Sequence, residues 1–256
     1  MTRGATLRID LNCDLGEEYD AWEPWVDGLD TRLLDIVTSA NVACGAHAGD
    51  ERIMAAVCRA AAARGVFVGA HVSYLDREHF GRLFVDAPAD ELRVQVAQQI
   101  ATLQAIALRA GTRVAYVKPH GALYNAVVHH EAHAQAVVDA IPDLPVLGLP
   151  GSAVLAAARA RGLRAVTEAF ADRGYRADGT LVPRSEPGAL VTDTDEVAAR
   201  VVRIAADGVV RAVDGSDVPV DAESVCVHSD TPGAVGLAAA VRAALQASGV
   251  RVQPFV

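Results

Sequence analysis

The sequence is poor in several things that would announce a function. Its four cysteines, Cys13, Cys44, Cys58 and Cys226, form no C-x-x-C pair. That argues against a zinc knuckle or a thioredoxin-like redox site. Four cysteines in 256 residues are also too sparse for a disulfide framework, and reduced thiols in a cytoplasmic protein are expected. Basic residues are outnumbered, 23 Lys and Arg against 32 Asp and Glu, for a formal net charge of −9. Nucleic acid demands a basic footprint, so it is not an expected partner. An anionic membrane surface is equally unsuitable. No apolar run approaches the ~18 residues of a membrane span, and the opening MTRGATLRIDLNCD lacks the apolar segment of a secretory signal. Three nucleotide or nucleophile signatures are missing: G-x-G-x-x-G, G-x-x-x-x-G-K-[ST] and G-x-S-x-G. A dinucleotide fold, a P-loop for ATP and a serine-hydrolase elbow are therefore not expected.

What is present is a regular alternation of short apolar runs and helical patterns. Hydrophobic residues make up 52% and charged residues 21%, a well-packed globular composition. Strands are expected at Thr6–Leu11, within Ile36–Gly45, at Val66–Val72, in RVAYVKP, and at Leu144–Gly151, Arg164–Phe170 and Ser224–Asp230. Between them lie expected helices at Gly49–Gly65, Ala87–Gly111, around Glu131–Ala140, Ser152–Gly162 with a Ser cap, Asp193–Gly208 and Pro232–Gly249. A small hairpin is expected around Asp214-Gly215. About seven βα repeats follow one another with no linker, consistent with one β/α domain over residues 1–256 and a parallel sheet. An open doubly wound sheet and a closed barrel both fit; the missing G-x-G-x-x-G weighs against the first.

Polar residues collect at the ends of the expected strands. The first ends in Asp10, Asn12 and Asp14. The second ends near Asn41 and leads to His47 and Asp50. The third gives His71, Ser73, Tyr74 and Asp76. The fourth gives Lys118 and His120 in YVKPHGALYN, where Pro119 stops the ladder and Gly121 lets the chain turn. The sixth gives Glu168, Asp172 and Arg173, and the seventh His228 and Asp230. Residues two apart on a strand share a face, and parallel α/β folds build their sites at strand C-termini. Six polar strand ends thus predict one basin of ionisable groups. Asp14, His47 and His71 are of the types a divalent metal accepts, although no tight H-x-x-x-H spacing supports it. Asp14 and Asp50 could equally be turn formers or helix caps. His129, His130 and His133 lie on a polar helical stretch and are expected to be solvated.

Several of these segments are longer than chance spacing explains: DLNCDLGE (Asp10–Glu17), TSANVACGAHAGD (Thr38–Asp50), VGAHVSYLD (Val68–Asp76), FGR (Phe80–Arg82), VKPHGALYN (Val117–Asn125), EAFADRGY (Glu168–Tyr175) and VHSDTPGAV (Val227–Val235). In order and over nearly the full chain they resemble the LamB/YcsF family. The resemblance implies a distorted seven-stranded (β/α) barrel like that of the glycoside hydrolase/deacetylase superfamily. It implies a part in ATP-dependent hydrolysis of 5-oxo-L-proline (pyroglutamate) to L-glutamate, with 5-oxoprolinase subunits B and C as partners and ATP used at the level of the complex. Carried over position by position, it implies catalytic roles for Asp14, His47, His71, Lys118, His120 and Glu168. It implies substrate-binding roles for Asp10, Asn12, Asn41, Asp50, Asp76, Arg82, Asn125, Asp172, Arg173, His228 and Asp230. Lys118 or Arg173 would hold the substrate carboxylate, and Asp14 or His71 would activate water. Val72 and Leu75 stand where the family pattern has prolines, Leu83 where a second arginine is usual, and Ser229 where glycine is usual. The alternatives are a stand-alone metal-dependent amidohydrolase or deacetylase and a non-catalytic substrate-binding subunit.

Overall fold

A computed structural model describes residues 7–17, 22 and 27–256. The chain runs β1 (Arg8–Leu15), α1 (Leu29–Leu34), β2 (Ser39–Ala43), α2 (Glu51–Arg64), β3 (Phe67–Val72), α3 (Ala89–Arg109), β4 (Val114–Pro119), α4 (Gly121–His129) and α5 (Glu131–Ala140). It continues through β5 (Val146–Gly148), α6 (Ala153–Ala160), β6 (Ala165–Phe170), α7 (Thr194–Asp207), β7 (Val209–Arg211), β8 (Asp217–Pro219), β9 (Ser224–Val227), α8 (Ala234–Ala247) and β10 (Arg251–Val252). Seven parallel strands, in the order β1-β2-β3-β4-β5-β6-β9, close on themselves through a β1–β9 pairing. The closed barrel is thus the arrangement adopted, and β7 and β8 form the expected antiparallel hairpin outside it.

The closure depends on β1, which is longer than its apolar run suggests. The expected strand stops at Leu11 (its first residue, Thr6, lies outside the described residues). Pairing instead continues to Leu15, with Asn12–Leu15 against β2 and Asp10–Cys13 against β9. Every residue from Ile9 to Leu15 is buried. Leu11, Cys13 and Leu15 pack outward into the helix layer, while Asp10, Asn12 and Asp14 point into the barrel. Polar residues on the inward face disguise the strand. The Arg251 and Gln253 amides donate to Leu7 O and Ile9 O, and the Thr38 amide to Leu11 O. β10 and β2 therefore follow each other along one edge of β1.

Local chemistry sets the helix ends. Asp50 and Asp193 accept from the Ile53 and Glu196 amides, and Gly65 and Gly208 close their helices in the left-handed region. Ser152 precedes α6 without a side-chain cap bond among the described residues. The segment after Pro119 is a helix rather than the expected open turn: Pro119 makes the last β4 pairing, with Val72, and α4 starts at Gly121. His133 corrects another expectation. It is buried, with Nδ1 2.7 Å from the Tyr74 hydroxyl and Nε2 3.0 Å from Ala87 O. It ties α5 to the loop after β3, whereas His129 is exposed as expected. No helix among the described residues is long and apolar enough to cross a membrane.

One end of the barrel interior is apolar. Tyr116, Leu147 and Val166 pack together there with Phe255. The Tyr116 ring lies against Gly69, where a Cβ would come within 2.2 Å of it, so the missing side chain makes the space. Gly69→Ala would put a methyl group inside that ring. It should destabilise the protein by about 1–3 kcal/mol through overpacking, read as a lowered denaturant midpoint at unchanged slope; an unchanged midpoint would contradict this packing.

Candidate active site

Above the apolar plug, the barrel axis is filled by hydrogen-bonded polar side chains. Thr38 and Ser39 hydroxyls donate to Asp10 Oδ1 at 2.7 Å each, and Ser224 to Oδ2. Burial nonetheless raises the Asp10 carboxyl to about 6. Asn12 Nδ2 donates to Glu168 Oε1 at 2.9 Å and Ser224 Oγ at 2.7 Å. Asn41 Nδ2 donates to Asn12 Oδ1 and Asp14 Oδ1, both at 2.7 Å, and Tyr116 donates to Asn41 Oδ1 at 2.6 Å. Asp10, Asn12 and Asn41 are thus corrected from substrate contacts to the layers beneath the site. Their side chains share the inward face with Asp14 but sit deeper along the strands.

Lys118 joins this interior to the site. Its ammonium lies 3.0 Å from Asp14 Oδ1 and 2.9 Å from Glu168 Oε1, at 2% exposure. Burial alone would lower its pKa; Asp14, Cys226 and Glu168 outweigh that and hold it well above the usual lysine value. Burial likewise works against the Asp14 charge, but His71 and Lys118 keep that carboxyl well below the usual range. Lys118 therefore meets two carboxylates already, as in the ion pair that burial demands.

Asp14 Oδ2 faces a histidine cluster, 3.4 Å from His71 Nε2. His71 Nδ1 lies 3.1 Å from Lys118 O, and His120 Nε2 lies 2.9 Å from Phe80 O. A carbonyl oxygen only accepts, so those two nitrogens carry hydrogen. In neutral rings the remaining nitrogens, His71 Nε2 and His120 Nδ1, then present lone pairs to each other across 3.0 Å. Glu17 Oε1 adds a further acceptor, 3.3 Å from His120 Nδ1 and 3.1 Å from His47 Nε2. His47 stacks on His120 with centroids 3.7 Å apart, and its Nδ1 has no hydrogen-bond partner among the described residues. Converging lone pairs and carboxylates require a cation: a proton on one ring, or a metal. Burial, with neighbouring histidines, holds His47 and His120 well below the ordinary value, while burial raises Glu17. Glu17, His47, His71 and His120 each place a ligand atom within 4.8 Å of the others. Three imidazoles and a carboxylate suit a borderline divalent ion such as zinc.

The loop after β3 clamps this cluster. Gly81 sits at φ +64°, and a Cβ there would come within 2.9 Å of both His120 and His47. The Gly81 carbonyl accepts from the Ala122 amide at the start of α4. On the other side of Asp14, Asp172 Oδ1 holds His228 Nδ1 at 2.8 Å and Oδ2 accepts from Thr231 at 2.5 Å. Burial opposes the Asp172 charge, but His228 and Thr231 keep its carboxyl lowered. His228 stacks on Phe170, and one of its ring nitrogens lies within 4.8 Å of an Asp14 oxygen.

A cavity of about 430 Å³ opens over these groups, lined by Asp14, Glu17, His71, Lys118, His120 and His228. Tyr124, Asn125, Phe170, Arg82, Arg184 and Asp230 complete much of its wall. The remaining expected residues are engaged in other contacts. Asp50 caps α2 instead of binding substrate, because its carboxylate satisfies a free helix amide. Asp76 organises its own loop, accepting from His79 and from the Leu83 amide. Arg173 reaches the cavity wall, but its Nε and Nη2 donate to Ala189 O and Val182 O. Asp172 positions His228. Glu17 and Arg184 are additions to the expected residues. Glu17 stands three places past Asp14, beyond the strand end, yet inside the DLNCDLGE segment.

Seven parallel strands closed into a β/α barrel, with histidines and carboxylates gathered at the strand C-termini, define the fold class. The polysaccharide deacetylase Bc1974 from Bacillus cereus shares the fold, with a TM-score of 0.50 at 12% identity over 98% of this chain and 92% of that one. More narrowly, the chain belongs to the LamB/YcsF family, whose model matches residues 9–256. It is 59% identical to the 5-oxoprolinase A subunit of Streptomyces avermitilis over 96% of this chain and 99% of that protein. The lactam utilization protein of Thermus thermophilus is 40% identical and superposes with a TM-score of 0.89, covering 97% and 100% of the two chains.

Two stability measurements test the interior. Lys118→Met strands the Asp14 and Glu168 charges and should cost about 3–5 kcal/mol in denaturant unfolding; a loss below about 1 kcal/mol would contradict the buried pair. Asp10 ionises near 6 in the folded protein against about 3.9 unfolded. The folded state binds the proton more tightly, so this group lowers stability as pH rises from about 4 to 6, by roughly 3 kcal/mol. That part of the pH slope should vanish in Asp10→Asn.

Proposed function

We propose that this chain is the A subunit of an ATP-dependent 5-oxoprolinase that, with subunits B and C, converts 5-oxo-L-proline to L-glutamate. The observation that carries the reading is full-length similarity to proteins named as 5-oxoprolinase A subunits, at 57% and 59% identity in two cases. The site supports it chemically. A cavity of about 430 Å³ suits a small ring, and its floor offers two proton-handling groups. A lactam is a resonance-stabilised amide. A phosphoryl group transferred from ATP to the lactam oxygen makes the ring carbon a good electrophile. Water then adds to that carbon, the ring C–N bond breaks as nitrogen takes up protons, and a second water releases phosphate to leave the new carboxylate. ATP use is assigned to the assembled complex, and cytoplasmic residence is part of the same reading.

Glu17, raised by burial, takes the proton of the attacking water. His228, held by Asp172, gives a proton to the departing nitrogen. Asp14 stands between the two and stabilises protonated intermediates of either histidine group. Lys118, tied to Asp14 and Glu168, keeps Asp14 ionised and in place. Substrate-carboxylate binding passes to arginines at the cavity mouth. A second reading, a metal-dependent amidohydrolase, is favoured by the lone pairs that face each other between His71 and His120. Glu17, His47, His71 and His120 would hold the ion, which when bound supplies Lewis-acid polarisation of a carbonyl oxygen.

Glutamate release with subunits B and C separates these readings. Glu17→Gln, with its fold retained, should slow ATP-dependent release by at least about 100-fold; wild-type-like turnover would remove Glu17 from the mechanism. ATP-independent hydrolysis by the chain alone, abolished by a chelator and restored by zinc, would favour the second reading.

A further inference from the structure

The cations of the site are not equivalent. Lys118 is paired with Asp14 and Glu168, and Arg173 donates to two backbone carbonyls. Arg82 and Arg184 remain, and both converge on one carboxylate. Arg82 Nη2 donates to Asp230 Oδ2 at 2.6 Å. Arg184 Nη1 lies 3.2 Å from the same oxygen, and its Nη2 donates to Oδ1 at 3.4 Å. The three residues come from three loops, after β3, β6 and β9, and all line the cavity. Two guanidiniums share one carboxylate, so the bridge carries an excess positive charge on a protein of net charge −9. It is also accessible: the side chains of Arg82, Arg184 and Asp230 are 40%, 30% and 15% exposed.

We propose that Arg82 and Arg184 form the recognition site for the carboxylate of the substrate, and that Asp230 is an internal anion that holds the pair in register until that carboxylate arrives. This rests on the lactam reading above and deepens it by naming what distinguishes a carboxylated ring from a bare one. An arginine fork matches a carboxylate in shape as well as charge, which a lysine does not. Asp230 keeps the two forks facing one point across the cavity mouth, so the incoming carboxylate exchanges with a group of its own chemistry. Arg184 is the specificity-determining residue of the pair. Its loop is anchored by Arg173, which donates to Ala189 O and Val182 O, so Arg184 stays in place when an incoming carboxylate displaces Asp230.

Binding to the full-length chain tests this, with calorimetric titration of 5-oxo-L-proline and 2-pyrrolidone, the same ring without the carboxylate, and of inorganic phosphate as an independent anion. Wild-type protein should prefer 5-oxo-L-proline. Arg184→Met, at unchanged thermal midpoint, should weaken 5-oxo-L-proline at least ten-fold and leave 2-pyrrolidone within two-fold. Asp230→Asn should tighten 5-oxo-L-proline several-fold by removing the internal competitor. Equal losses for both rings in Arg184→Met, or weaker anion binding in Asp230→Asn, would overturn the proposal. Wild-type protein that binds phosphate through Arg184 but not 5-oxo-L-proline would leave the anion fork standing and remove the lactam reading. Anion binding absent from wild type, or untouched in Arg184→Met, would remove the fork itself.

Discussion

A lysine ammonium held between two carboxylates inside a closed barrel is the constraint on which this structure turns. Removing such charges from water carries a penalty of several kcal/mol per ion, which only close pairing and further hydrogen bonds offset. Each partner is supplied by a different strand: Lys118 by β4, Asp14 by β1 and Glu168 by β6. The amides of Asn12 and Asn41 add one hydrogen bond each, to Glu168 Oε1 and Asp14 Oδ1, while Glu168 Oε2 has no hydrogen-bond partner among the described residues. These pairings form only when the sheet closes, because β1 must lie beside β2 on one edge and β9 on the other. A barrel interior is usually filled by layers of branched apolar residues. Here that role falls to Tyr116, Leu147 and Val166 at one end, and a polar axis takes over above them.

Asp14 carries this constraint into the chemistry. Its Oδ1 belongs to Lys118 and Asn41, and its Oδ2 is turned to His71. The charge that stabilises the interior is therefore the charge that the histidine cluster feels. The main chain does the rest. Lys118 O fixes one tautomer and Phe80 O the other, so the reactive nitrogens of His71 and His120 are aimed at one point. Lys118 thus acts twice, once through its side-chain ammonium and once through its main-chain carbonyl. The proximity of Lys118 and His120 in the sequence follows from this double use.

Much of this was legible because the repeat and the inward alternation are both sequence patterns. The βα order and the polar strand ends follow from periodicities of two or 3.6 residues, and the hairpin from the Asp214-Gly215 turn. What escaped lies where periodicity ends. Glu17 sits past the last paired residue of β1, so no strand face assigns its direction. Arg184 belongs to a long loop whose path is set by Arg173 and its carbonyl partners rather than by any local turn signal. Depth was also hidden: Asp10, Asn12 and Asp14 share a face, but spacing does not say which of them is open to the cavity. By sequence His133 resembles its solvated neighbours, and only the tertiary position of Tyr74 explains why it is buried.

The loop after β3 shows how the same geometry is held without the prolines of the family pattern. Val72 and Leu75 occupy those positions, so backbone stiffness has to come from hydrogen bonds. Gln99 supplies two, accepting from the Ser73 amide and donating to its carbonyl. Tyr74 is anchored on His133, and Asp76 closes the turn over His79 and Leu83. These contacts fix Phe80, Gly81 and Arg82 in turn, and with them the His120 tautomer. Leu83, where a second arginine is usual, leaves this loop with Arg82 as its one guanidinium on Asp230. The second comes from Arg184, across the cavity mouth. Placing the two forks on separate loops makes the mouth a junction between β3 and β6. The carboxylate that bridges them there is reached from solvent, unlike the one that binds Lys118 below.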